Sequence, residues 1–229
     1  MLTPLAPDVW SCDDRLVMPG GVRFPLRMVV VRLPGGGLLL HSPIAIDDAL
    51  AAALAQLGEV TAIVAPNCLH HLYLAAAKER YADAPMFGAP GLADKRGDLK
   101  FDAVLEPPAP ADWGGAIELL PIAGAPKVGE VALLHRPSRS LLVTDLVFHL
   151  RAPENLRTAL LLRIMGAHGR LASSRAWRWM LVRDRAAFRE SLRELLRSDF
   201  DRLIPSHGEV VDADARAALG SALGSWLQE

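Results

Sequence analysis

Three short apolar runs in this chain each stop on a side chain that can carry a proton or a charge. Thr61–Ala65 (TAIVA) runs into Pro66-Asn67-Cys68-Leu69-His70-His71, Leu141–Thr144 (LLVT) into Asp145, and Arg202–Pro205 (RLIP) into Ser206-His207. Runs this short, apolar and bounded by turn residues, read as buried strands. Ligand sites in sheet-containing folds gather just past the carboxyl ends of strands, where the loops are held rigidly together.

The remaining segments set the fold class. Arg27–Leu33 (RMVVVRL), the turn Pro34–Gly37 and Leu38–His41 read as a β-hairpin. Asp47 or Asp48 caps a helix that Gly58 stops. Helices are expected over Leu72–Tyr81, Arg183–Arg197 and Asp212–Leu227, with strands at Met86–Gly88, Ala116–Ile122 and Val131–His135. Arg151–Met180 reads as helical with a break near Gly166–Gly169. Paired strands followed by alternating strands and helices indicate an α/β or α+β fold with mixed strand directions.

Composition narrows the function classes. The chain has 229 residues, 51% hydrophobic and 22% charged, enough to bury a large core and too apolar for disorder. Its apolar stretches, such as Ala49–Ala55, fall far short of the ~18–20 residues of a membrane span. The N-terminus lacks the basic-then-apolar pattern of a signal peptide. Two cysteines, Cys12 and Cys68, make no disulfide framework, so a cytoplasmic location is expected. Twelve Arg and no Lys against six acids fall between Arg151 and Arg202. This segment is either a solvated helical surface or a basic face that attracts an anionic ligand. No zinc-finger spacing or RNP-type aromatic string points to nucleic acid, and no partner of that kind, nor a membrane, is expected.

Imidazole and carboxylate are ligands that zinc, iron and manganese accept. His70, His71, Asp145 and His207 together supply three or four of them. Each also has a plain structural reading, as a helix cap, a loop brace or a turn residue. His41 ends a strand, His149 follows Asp145 by four residues, and Asn67 suits a loop-bracing role. Cys68 reads as a buried filler or a soft ligand. Arg178 lies between Trp177 and Trp179 in a cluster that reads as a helix burying one tryptophan, or as a lid whose arginine pairs an anionic group.

Pro66–His71, Thr144-Asp145 and Ser206-His207-Gly208-Glu209 resemble the site segments of the metallo-β-lactamase-like hydrolase superfamily, in a divergent bacterial branch. The resemblance spans most of the chain. It implies a single four-layer αββα domain over residues 1–229 with metal at one edge of the two sheets. The superfamily's loop usually reads HxHxDH. With His71 on its last histidine, His70 takes the aspartate position, and Cys68 and Pro66 fall on the first two histidine positions. The later Gly-His pair falls near Ala125-Pro126, without a histidine. One metal position is therefore lost and the other kept.

The resemblance thus implies one divalent ion (Zn, Fe or Mn) on His70, His71, Asp145 and His207, with Asp145 and His207 also catalytic. His41, Asn67, Cys68, His149 and Arg178 would support the site or meet substrate. The expected activity is hydrolysis of an ester, thioester, amide or phosphoester of a small molecule, with the basic segment favouring an anionic one. The competing readings are a metal-free binding or scaffold protein on the same fold and, more weakly, an iron oxidoreductase. Oligomeric state is not legible.

Overall fold

The computed structural model describes residues 1–228, the side chain of Arg178 apart. Its strands are β1 (Thr3–Ala6), β2 (Val9–Met18), β3 (Val22–Arg32), β4 (Leu38–His41), β5 (Val60–Ala65), β6 (Met86–Gly88), β7 (Ala103–Val104), β8 (Ile117–Pro121), β9 (Val131–His135), β10 (Ser140–Val143), β11 (Phe148–His149), β12 (Leu171–Ala172) and β13 (Arg202–Pro205). Its α-helices are α1 (Asp48–Leu57), α2 (Leu74–Arg80), α3 (Leu92–Lys95), α4 (Leu156–Met165), α5 (Arg185–Arg197) and α6 (Ala215–Leu227).

Among the described residues, β1 to β7 form one sheet in sequence order, and β13-β10-β9-β8 form a second. The first sheet is antiparallel from β1 to β4 and parallel from β4 to β7. Parallel neighbours need crossovers, and α1 and α2 supply them. Asp47 caps α1 by accepting from the Leu50 amide at 2.8 Å. Gly36, at φ +87°, makes the turn that returns the chain into β4.

The apolar residues sort into layers. Val29, Val31, Leu39 and Val64 of the first sheet meet Leu119, Leu133, Leu142 and Ile204 of the second. The other face of the first sheet packs on Leu50, Leu54, Leu74 and Leu92 of α1, α2 and α3. The other face of the second packs on Phe188, Leu192, Leu219, Leu223 and Trp226 of α5 and α6. Strands buried on both faces read as continuous apolar runs, which is why β5 and β10 are legible in the sequence. The result is the four-layer αββα sandwich.

The differences from the sequence reading that bear on the site fall in three places. β2 (VWSCDDRLVM) is a ten-residue strand that the charged centre Asp13-Asp14-Arg15 hides, because its second half projects past the core and is largely exposed. The helix expected from Leu72 starts at Leu74. In the Arg151–Met180 stretch only α4 is a regular α-helix. It ends at Gly166 in the left-handed conformation, φ +75°, and β12 and a π-helical turn over Trp177–Leu181 follow.

Because β10 and β13 are parallel and Val143 is in register with Pro205, Asp145 and His207 each lie two residues beyond the same rung. β5 ends at that edge in the facing sheet. Three segments distant in sequence thus deliver their polar residues to one place. Among the described residues no helix is long and apolar enough to cross a membrane.

Candidate metal centre

His70, Asp145 and His207 meet at this edge, with candidate ligand atoms all within 4.8 Å of one another. The Nε2 atoms of His70 and His207 are 3.1 Å apart. Asp145 Oδ2 is 3.3 Å from His70 Nε2, and Asp145 Oδ1 is 3.5 Å from His207 Nε2. Donors about 2.0–2.1 Å from a tetrahedral ion stand roughly 3.3–3.4 Å from one another. The observed spacings are those of donors around one small cation.

Hydrogen bonding on the far side of each ligand fixes its direction. His207 Nδ1 is 2.7 Å from the Pro25 carbonyl, which can only accept, so Nδ1 carries the proton and the Nε2 lone pair faces inward. The His207 ring stacks on Phe148 at 5.3 Å and meets the edge of Phe24 at 4.7 Å. His70 Nδ1 is 2.6 Å from Ser42 Oγ, leaving its Nε2 inward. Ser42 is held at φ +56°, an uncommon conformation for a residue with a Cβ. Strain of this kind persists only where surrounding contacts over-determine it.

Asn67 ties two of these segments together. Its carbonyl oxygen accepts from the Leu69 and His70 amides at 2.8 and 2.9 Å. Its amide donates to Thr144 Oγ1 at 2.8 Å and Asp145 Oδ2 at 2.7 Å. The loop-bracing role expected from sequence is present, and it extends to the carboxylate. Below it, the buried Glu130 accepts from the Thr144 and Asp145 amides at 2.8 and 3.0 Å. Burial, and then the charge of Asp145, push the Glu130 carboxyl up to about 7 against these bonds. Trp177 Nε1 donates to the Asp145 carbonyl at 2.6 Å. Arg27 Nη1 donates to the carbonyls of Pro205 and Gly208 at 3.0 and 2.6 Å, fastening the His207 loop to β3.

The electrostatics match a cation site. Burial alone would raise the Asp145 carboxyl. The charge of His70, with hydrogen bonds from His207 and His70, outweighs it and holds Asp145 well below the usual carboxylate range. Two imidazole Nε2 atoms facing a carboxylate suit a positive charge between them, as protons or as a metal ion.

His71 and His149 depart from the roles expected of them, while Cys68 and His41 take their packed readings. His71 does not join the group. Its Nδ1 accepts from Arg96 Nη1 at 3.0 Å and its carbonyl accepts from the same nitrogen at 3.1 Å, because consecutive residues cannot both face one point here. His149 lies on β11 rather than a helix. It is buried, its Nδ1 donates to the Glu209 carbonyl at 2.9 Å, and its Nε2 accepts from Arg151, so it braces the His207 loop instead of facing substrate. Cys68 is buried in the outer core with Sγ 3.3 Å from the Pro90 carbonyl, and burial pushes its thiol up. His41 makes no hydrogen bond through either ring nitrogen. It pairs in register with Val29 and Val64 on the inter-sheet face. Burial, and then the charge of His70, lower it to about 3. The Arg178 side chain lies outside the described residues. Trp177 is buried and Trp179 is 76% exposed.

Ser42, Glu130, Trp177 and Arg27 were not legible as site residues. Ser42-Pro43 reads only as a turn, Arg27 only as a strand end. A lone glutamate between Gly129 and Val131 signals nothing until the sheets are assembled.

A cavity of about 390 Å³ opens onto the group, lined by His70, Asp145, His207, Phe24, Leu26, Phe148 and further apolar side chains. A larger groove of about 610 Å³ lies along Pro107–Ala111 and α5, remote from these residues.

A family model described as a domain of unknown function, DUF4336, matches residues 7–92. No curated protein matches the sequence. Among solved structures, a metallo-β-lactamase from Pontibacter korlensis is 18% identical with a TM-score of 0.66, covering 100% of this chain and 99% of that one. One from Erythrobacter litoralis is 16% identical with a TM-score of 0.64, covering 100% and 92%. FIM-1 from Pseudomonas aeruginosa, in a mono-zinc form, is 13% identical with a TM-score of 0.62, covering 98% and 95%. The chain has the metallo-β-lactamase-like fold.

Proposed function

We propose that this protein is a metal-dependent hydrolase of small molecules that uses one divalent ion (zinc, iron or manganese) held by His70, Asp145 and His207. The observation that carries the reading is the convergence of two imidazole Nε2 atoms and one carboxylate, 3.1–3.5 Å apart, with both Nδ1 atoms engaged on the opposite side. Bound there, the ion supplies Lewis acidity toward a carbonyl or phosphoryl oxygen and lowers the pKa of water toward ~7.

The chain's own residues favour a catalytic over a structural role. Four protein ligands would close a tetrahedral site. With His71 turned to Arg96, three would hold the ion, and all three line the cavity. Two neutral imidazoles and one carboxylate leave a divalent ion with net positive charge. The Asn67 amide holds the carboxylate, and the Pro25 carbonyl and Ser42 hydroxyl hold the two rings. A second ion finds no ligands at Pro66 or Ala125, and the Cys68 thiol is hydrogen-bonded elsewhere. The mono-zinc form of FIM-1 supports single-ion occupancy of this fold.

Elemental analysis of tag-free protein grown with Zn, Fe and Mn tests the reading, with ester and phosphodiester assays on the same sample. About one ion per chain, absent from His207→Ala and Asp145→Ala together with hydrolysis, is the expected result. Folded protein with no ion above background would replace the reading with a metal-free binding protein.

A further inference from the structure

We infer that the substrate is a neutral carboxylic ester with an aliphatic acyl chain of about six to ten carbons. This rests on the hydrolase reading above and goes beyond it by naming the substrate class. The observation is the wall of the cavity that receives the open side of the metal group. Leu16, Phe24, Leu26, Ile44, Phe148 and Leu161 are among its lining, and among the described residues no Lys or Arg lines it. The apolar surface continues to the rim, where Met18, Leu69 and Leu72 are 40%, 44% and 56% exposed.

The basic segment contributes Leu161 and Met165 to this wall but none of its described arginines. Arg151 pairs with Glu209, Arg193 and Arg197 with Glu190, and Arg202 with Asp212, while Arg157 donates to the Gly20 carbonyl. An anionic phosphoester would enter beside the Asp145 carboxylate with no side-chain cation to receive it. Beyond the ion itself, a phosphate or carboxylate taken from water against this wall loses hydration that no lining Lys or Arg replaces. A neutral acyl chain loses nothing on entry and gains burial.

The volume suits a chain of that length. At roughly 30 Å³ per non-hydrogen atom, the share of one water in the liquid, about 390 Å³ holds about a dozen such atoms. That fits an ester group and some eight carbons. In the reaction, the acyl carbon gains a bond to the oxygen of water and loses its bond to the alkoxy oxygen. One water proton goes to the departing alkoxide and the other to solvent, giving a carboxylate and an alcohol.

Two measurements separate this inference from the reading beneath it. In metal-free protein, butanol, hexanol and octanol compete with the neutral fluorophore N-phenyl-1-naphthylamine. Affinity rising about fourfold per methylene is expected, the equivalent of ~0.8 kcal/mol for each buried methylene. Leu72→Glu, at an exposed position that folding tolerates, and Leu161→Glu each weaken octanol at least tenfold. In zinc-loaded protein, kcat/KM for p-nitrophenyl esters climbs from acetate to octanoate and exceeds that for bis(p-nitrophenyl) phosphate. Alcohol affinity independent of chain length, or a phosphodiester turned over faster than the octanoate, overturns the inference and leaves the hydrolase reading standing. Chain-length-dependent binding with no ester hydrolysed overturns the hydrolase reading and keeps the apolar ligand class.

Discussion

The Nε2 atoms of His70 and His207 face each other across 3.1 Å, although 137 residues of chain separate them. Neither position is approached by local structure. His70 is carried by the loop after β5, His207 by the loop after β13, and the two strands belong to different sheets. Their meeting is a product of the sandwich.

The adjacent histidines have opposite roles in this account. His71 accepts from Arg96 and lies outside the group. His71→Ala is expected to keep about one ion per chain, and His70→Ala to lose it. Elemental analysis of the two purified variants checks this, and equal loss in both would contradict it.

Asn67 is fully buried and hydrogen-bonded to the Leu69 and His70 amides and to Thr144 and Asp145. Removing a partner from a buried polar group costs ~1–3 kcal/mol, and losing an outer contact to a ligand costs ~10–100-fold in metal affinity. Asn67→Ala is expected to show both effects, read by thermal unfolding and by chelator competition.

His41 gives a pH signature. Its folded value of about 3 lies below the unfolded 6.5. Above pH 6.5 the ring is neutral in both states and stability is unaffected. Below it the unfolded chain takes up a proton that the folded protein refuses, so stability falls as pH falls, by ~1.4 kcal/mol per unit. From pH 6.5 to 5 the loss is about 2 kcal/mol. His41→Leu should remove that part of the slope in urea unfolding of metal-free protein. Parallel pH profiles for wild type and variant would contradict it.

Gly208 lets the chain after His207 approach β11. It sits at φ +108°, and a Cβ there would come within 2.0 Å of the His149 carbonyl oxygen, a backbone atom that cannot swing aside. Gly208→Ala is expected to cost ~3 kcal/mol, a fall in Tm of roughly 6–12 °C for a chain of this size, and to weaken metal binding. An unchanged Tm would show that β11 does not hold this loop.

The elements that could be read from sequence are those with one dominant force. β5, β10 and β13 are short apolar runs, and α5 carries Phe188, Leu192 and Leu195 on one face. Asp145, His70 and His207 were legible because each lies shortly past the carboxyl end of such a strand. What could not be read depends on contacts between segments. β2 hides behind Asp13-Asp14-Arg15, and the direction of His71 depends on where Arg96 arrives. The Glu130 contact to the Asp145 amide exists only once β9 and β10 are paired. The Arg-rich segment, read in sequence as a face for an anionic ligand, places none of its described arginines in the lining of this cavity. Charge counted along the chain does not say which side chains line a cavity.

The central claim is the identity of the three ligands. A crystal of the protein grown with zinc, with anomalous diffraction recorded at the zinc edge, tests it directly. The account predicts one anomalous peak per chain, about 2.0–2.2 Å from His70 Nε2, His207 Nε2 and an Asp145 oxygen, with His71 still turned to Arg96. A peak ligated by His71 or Cys68, or none at this edge of the sheets, would contradict it.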